Sequence, residues 1–144
     1  MKTAEFQSLL LRAAVVAMAA DGDIAEEEKI ELSRVTGSTA YFLGFDHASA
    51  LPDILADSSI ASSAAPAALG QAIVAGALNL RQEEALLDVL LRIIEADHVV
   101  LPAERALLRT LRPALQLPDA TLLGRFPQML RYLLPDVSDE YLCL

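Results

Sequence analysis

Apolar positions crowd one stretch of the chain. From Glu84 to Leu111 it reads EALLDVLLRIIEADHVVLPAERALLRTL. Eight of the eleven residues from Ala85 to Glu95 are apolar, too many for one face of a surface helix. The pattern predicts a helix buried nearly all round, at the centre of an all-α domain. A short hinge follows, ADHVVLP, with an acid at its start and one apolar plug, Val100. Pro102 then falls in the first turn of a second helix, where its missing N–H costs nothing.

The same plan occurs once before, in LLRAAVVAMAADGDIAEEEKIEL from Leu10. A shift of 76 residues lays Asp21 on Asp97, Ile24 on Val100, Glu28 on Glu104, Lys29 on Arg105 and Leu32 on Leu108. Apolar positions agree at Leu10/Leu86, Ala14/Leu90, Ala17/Ile93 and Met18/Ile94. A repeated helix–hinge–helix unit predicts two halves packed about a pseudo-twofold axis, with Ile24 and Val100 as equivalent plugs.

The remaining pattern fills in a compact bundle of about six to eight helices. The first half covers about 3–36, with helices over Thr3–Ala19 and Ala25–Thr36 around a hinge closed by Gly22. Residues 37–63 form an irregular connection: AYFLGF reads as a helical turn, and a short helix is expected from Asp46. Pro52 argues against a long unbroken one. The serines near Asp57–Ser63 suggest a flexible link. The second half covers about 64–116. It opens on a helix rich in Ala and Gly, expected to thread the core, and Asn79 to Gln82 resembles a capping box for the central helix. Residues 117–144 form a cover, DATLLGRF and PQMLRYLL between prolines, and end in Tyr141, Leu142, Cys143 and Leu144. Docking of that end on the domain is expected. No boundary for a second domain is visible along these 144 residues.

Composition narrows the function classes. The chain is 54% apolar, has no tryptophan, and carries twenty acids against eleven bases, a net charge of −9. A nucleic-acid binder would show the opposite sign. Cations, or proteins with basic surfaces, are the partners such a charge suits, though it also serves solubility. A homo-oligomer is left open. The single cysteine fits a reducing compartment. No uninterrupted apolar run approaches the roughly 18 residues of a membrane span, so no membrane insertion is expected. Glu5 and Arg12, inside the first repeat, argue for a structural helix instead of a leader, and for a cytoplasmic protein.

The acidic hinges are the one chemical constellation. Asp21, Asp23 and Glu28 belong to the first, and Glu95, Asp97 and Glu104 to the second. Paired carboxylates with loop carbonyls could take a hard cation, Ca²⁺ or Mg²⁺. The metal set expected is Asp21, Asp23, Glu28, Asp97 and Glu104. An EF-hand is excluded, because counting from Asp21 puts Ala25 at position 5, Glu26 at 6 and Leu32 at 12. The competing reading is architectural. Asp21 and Asp97 would form Asx-turns. Glu28 and Glu104 would reach back to the N-cap N–H, giving half a capping box, since Ala25 and Leu101 lack a side-chain oxygen. His47 and His98 fit surface or loop positions; neither has zinc-ligand spacing or a visible triad. No phosphate loop or dinucleotide fingerprint occurs. The Arg105, Arg109, Arg112 series reads as a solvated face, available to acids of the first half.

AADGDIAEEEK and EADHVVLPAER resemble the two acidic hinges of the TerB-like family, named for tellurite resistance, whose pattern is roughly Asp-Gly-x-Ile/Val-x-x-x-Glu in both halves. The resemblance covers about Phe6 to Leu115. In the second copy His98 stands where glycine is usual. The resemblance implies an all-α fold, an acidic cation-binding surface and a role in stress response. The expected function is a non-enzymatic, acidic, partner-binding module. The alternative is a protein-neutralising or scaffold protein, of immunity-protein or antitoxin type, on the same fold without a metal site.

Overall fold

The computed structural model describes residues 1–20, 22 and 24–133. The side chains of Asp21 and Asp23, and the end with Tyr141 and Cys143, lie outside the described residues. Helices make up the described chain: α1 Thr3–Met18, α2 Glu26–Ser38, α3 His47–Ala56, α4 Ala65–Gly76, α5 Leu80–Ile94, α6 Pro102–Leu111, α7 Asp119–Arg125 and α8 Met129–Leu133. Three 3₁₀ turns join them, at Ala40–Phe42, Ser58–Ala61 and Arg112–Ala114. The fold is all-α, within the six to eight helices expected from the pattern.

The two hydrophobic helices of the repeat, α1 and α5, form the central pair. Leu10, Leu11, Val15, Leu86, Leu90 and Ile94 lose essentially all contact with solvent. Burial of such side chains is worth roughly 1.5–3 kcal/mol each. The packing around this pair differs between the halves. Helix α2 packs against α5, whereas α6 packs chiefly against α4 and α8.

Helix α4 differs from its expected role. It buries one stripe, Ala65, Leu69, Gly70 and Ile73, and leaves Ala68, Ala72, Val74 and Ala75 exposed. Small side chains allow close approach on one face only, so it lies on the core instead of threading it. Asn79 and Gln82 form the expected capping box at the start of α5, with Gln82 N–H donating to Asn79 Oδ1 at 2.8 Å and Asn79 N–H to Gln82 Oε1 at 3.0 Å.

The connection is anchored. Asp46 caps α3 by accepting from the N–H and hydroxyl of Ser49. The helix runs through Pro52, which lies on its exposed side. Further on, Asp57 accepts from the Ser59 N–H at 3.0 Å and hydroxyl at 2.7 Å, and pairs with Arg12 of α1. The Ser59 hydroxyl bond, then Arg12, then the Ser59 N–H hold the Asp57 carboxyl down at about 2. Its share of stability is present above the usual carboxylate range and is lost as pH falls toward 2. Where a flexible link was expected, Ser59 donates to Asp57, and the Ser62 hydroxyl oxygen accepts from the Ala64 N–H at 3.0 Å.

Two buried polar residues clamp distant segments onto the core. Gln7 donates from Nε2 to the Tyr41 and Leu43 carbonyls, at 3.1 and 2.9 Å. Glu83 is 2% exposed. Its carboxylate accepts from the Gln116 N–H at 2.7 Å and the Leu117 N–H at 2.9 Å, holding the chain between α6 and α7. Two arginines of the series, Arg109 and Arg112, bind the C-terminal cover. Arg109 Nε donates to the Tyr132 carbonyl at 3.1 Å, and Arg112 to the Leu117 carbonyl at 2.9 Å and Asp119 at 2.6 Å.

Candidate functional site: the paired acidic hinges

The hinges repeat bond for bond. After α1, the N–H groups of Ala19, Ala20 and Gly22 donate to the carbonyls of Val15, Ala17 and Ala19, at 3.0, 3.4 and 3.0 Å. After α5, those of Glu95, Ala96 and His98 donate to Leu91, Ile93 and Glu95, at 2.9, 3.3 and 3.0 Å. Each donor and each acceptor moves by the same 76 positions found in the sequence. The chain then turns through the left-handed region, at Gly22 with φ 91° and at His98 with φ 62°. His98 therefore takes the conformation that glycine takes in the first hinge, and pays its steric cost. Both plugs, Ile24 and Val100, are half-buried and packed against the core.

The glutamates follow the same rule. Glu28 Oε1 accepts from the Ala25 N–H at 3.2 Å, and Glu104 Oε1 from the Leu101 N–H at 2.9 Å. These are the half capping boxes expected where the N-cap residue offers no oxygen. Glu28 and Glu104 are only 5% and 4% exposed, so each helix start carries a buried carboxylate near the positive end of its dipole. In the second hinge Asp97 Oδ1 accepts from the Val99 N–H at 3.1 Å, an Asx-turn contact.

Of the five expected metal ligands, Glu28, Asp97 and Glu104 are therefore placed with one oxygen on a local backbone N–H. Asp21 and Asp23 lie outside the described residues. Among the described residues, no group of three or more His, Cys, Asp or Glu side chains is placed to hold a metal ion.

The surroundings of the two hinges have diverged. Beside the second hinge α8 and the turn before it supply partners for Glu95: Gln128 Nε2 donates to Glu95 Oε1 at 3.1 Å. Tyr132 bonds to Glu95 through its hydroxyl, and its pKa is pushed up to about 12 by burial first and then by the Glu95 charge and bond. A polar cavity of about 350 Å³ opens there, with Arg105 and Arg131 on its walls. Beside the first hinge Ala19 stands where Glu95 stands in the second, α3 replaces α8 as the neighbour, and a cavity of the same size has apolar walls. Sequence spacing could not reveal these partners, because Gln128 and Tyr132 follow Glu95 by more than thirty residues.

No helix among the described residues is long and apolar enough to cross a membrane. Compared with protein-family models, curated proteins and solved structures, the chain matches none.

Proposed function

We propose that this chain is a non-enzymatic, TerB-like binding module of a cytoplasmic stress or defence response, which engages a basic protein partner through its acidic surface. The observation that carries this reading is the outer face of α2. Glu26 and Glu27 are exposed in its first turn, and Ile30, 47% exposed, follows in the next. The 3₁₀ turn packed on this helix is followed by Leu43, which is 79% exposed. Exposed carboxylates beside exposed aliphatic side chains suit a partner that offers cations around an apolar contact. In this reading the hinges are architectural: their buried glutamates and Asp97 serve the backbone and hold α2 and α6 at a set angle.

The test is affinity capture from cells that express the protein, comparing wild type with Ile30→Asp and with Glu26→Lys combined with Glu27→Lys. One basic protein should be enriched by the wild type, released by salt, and lost with both variants. Equal capture by all three proteins would remove α2 from the interface and contradict the reading.

A second reading keeps a Ca²⁺ or Mg²⁺ ion at the hinges. It is favoured by the recurrence of a buried glutamate at the same place in both halves, a costly feature when a polar cap would serve the helix start. Thermal melts with each ion separate it from the first.

A further inference from the structure

The second hinge has lost acids that the first one carries. Under the 76-residue shift Asp23, Glu26 and Glu27 become Val99, Pro102 and Ala103. It has gained polar residues in exchange: Ala19, Gly22 and Lys29 become Glu95, His98 and Arg105. All three gains line the polar cavity of about 350 Å³ beside that hinge. Gln128, just before α8, and Arg131 and Tyr132 within it close the far wall. The volume falls in the range of small-molecule sites. Glu95 is the one carboxylate on these walls, and it is bound by Gln128 and Tyr132. Arg105 is therefore not needed to hold it. Among the described residues, the half-buried Arg105 side chain has no hydrogen-bond or ion-pair partner. His98, exposed at the same cavity, keeps its left-handed backbone at φ 62° where glycine would carry no strain. Strain held in place at a polar cavity is a mark of a functional position.

We propose that this cavity binds a phosphate monoester. Two phosphate oxygens would accept from the planar fork of Arg105, a geometry that arginine offers and the lysine of the first hinge does not. The third would face the His98 ring, with the Arg131 charge adding to the field on the group. The first hinge supports the assignment by contrast: the matching lysine pairs with Glu26, and the cavity there has apolar walls. The inference is independent of the α2 partner surface. Neither Asp97 nor Glu104 lines the cavity, so it is independent of a hinge metal as well.

The phosphate group could be free or carried on a protein side chain, and two probes distinguish these sources. Inorganic phosphate and phosphoserine capped at both ends are titrated calorimetrically into the full chain at constant ionic strength. A chelator is present, so that no cation bridges the probe to the hinge, and the His98 ring is followed by NMR. Saturable one-to-one binding is expected, with a Kd on the order of 1 mM or tighter and the His98 signals moving. Tighter binding of capped phosphoserine would support a phosphorylated side chain as the ligand, and tighter binding of phosphate a free anion. Arg105→Gln should weaken binding on the order of tenfold and melt near the wild-type temperature. His98→Gly should weaken binding while raising the melting temperature, a combination that a purely structural residue would not give. Lys29→Gln, at the repeat partner of Arg105, should bind as the wild type does. No saturable binding of either probe, or binding unchanged by Arg105→Gln, would overturn the proposal. So would equal losses in Arg105→Gln and Lys29→Gln, or binding that leaves the His98 signals unmoved.

Discussion

Single residues do two kinds of work here, and burial distinguishes them. Glu83 and Glu84 are neighbours on α5, yet Glu83 is buried against two backbone N–H groups while Glu84 makes a loose pair with Arg125 at 3.6 Å. A charge-assisted bond inside the protein is worth about 1.5–3 kcal/mol, an exposed ion pair about 0–1. Glu83→Gln should therefore lower stability to chemical denaturation by about 1.5–3 kcal/mol, and Glu84→Gln by less than about 1. Equal small effects would show that the clamp on Gln116 and Leu117 contributes nothing. The clamp was not legible in the sequence. Glu83 sits next to another glutamate in a helical first turn, where acids are common for dipole reasons alone. Its partners are backbone groups more than thirty residues on, whose position only the packed fold supplies.

At the scale of elements, the hinges were the most legible feature. Their signals are local: a turn closed through positive φ, an apolar plug, and a glutamate three residues after the N-cap. The repeat made each signal count twice. The hydrogen bonds of Glu28 and Glu104 follow from those residues and from the absence of a side-chain oxygen at Ala25 and Leu101. Less legible were α4 and the connection before it. Alanine and glycine permit close packing on any side, so composition could not say that α4 would expose one face. The serines of this stretch read as a linker, but Asp57 binds Ser59 and Arg12, and the Ser62 hydroxyl oxygen accepts from the Ala64 N–H. The hinge geometry carries its own prediction. A Cβ added at Gly22 would meet nothing within 4 Å, so Gly22→Ala tests the backbone alone. It should cost about 1 kcal/mol, and His98→Gly should gain about 0.5–1 kcal/mol by relieving the same conformation. Denaturant midpoints of the two variants check this. A neutral or stabilising Gly22→Ala would mean that the two turns are not equivalent.

For the whole molecule, the internal repeat gave the all-α architecture and the central α1–α5 pair, because a shared hydrophobic pattern marks a shared burial. It could not give the asymmetry around that pair. Helix α3 beside the first hinge and α8 beside the second are not members of the repeat, and they decide what each hinge faces. One cavity is polar, with Glu95 bonded to Gln128 and Tyr132, and the other has apolar walls. The function proposed above rests on this division, with hinges that build the frame and surfaces that bind. Thermal melting of wild type, Asp21→Asn and Glu104→Gln, each with and without millimolar Ca²⁺ or Mg²⁺, tests that division most directly. The account predicts a wild-type Tm that does not move with either ion. It also predicts that Glu104→Gln lowers Tm by the same amount in both conditions. A ligand that binds only the folded state raises Tm by mass action. A Tm that rises with the ion in wild type, and fails to rise in either variant, would contradict the account and make the hinges a metal site.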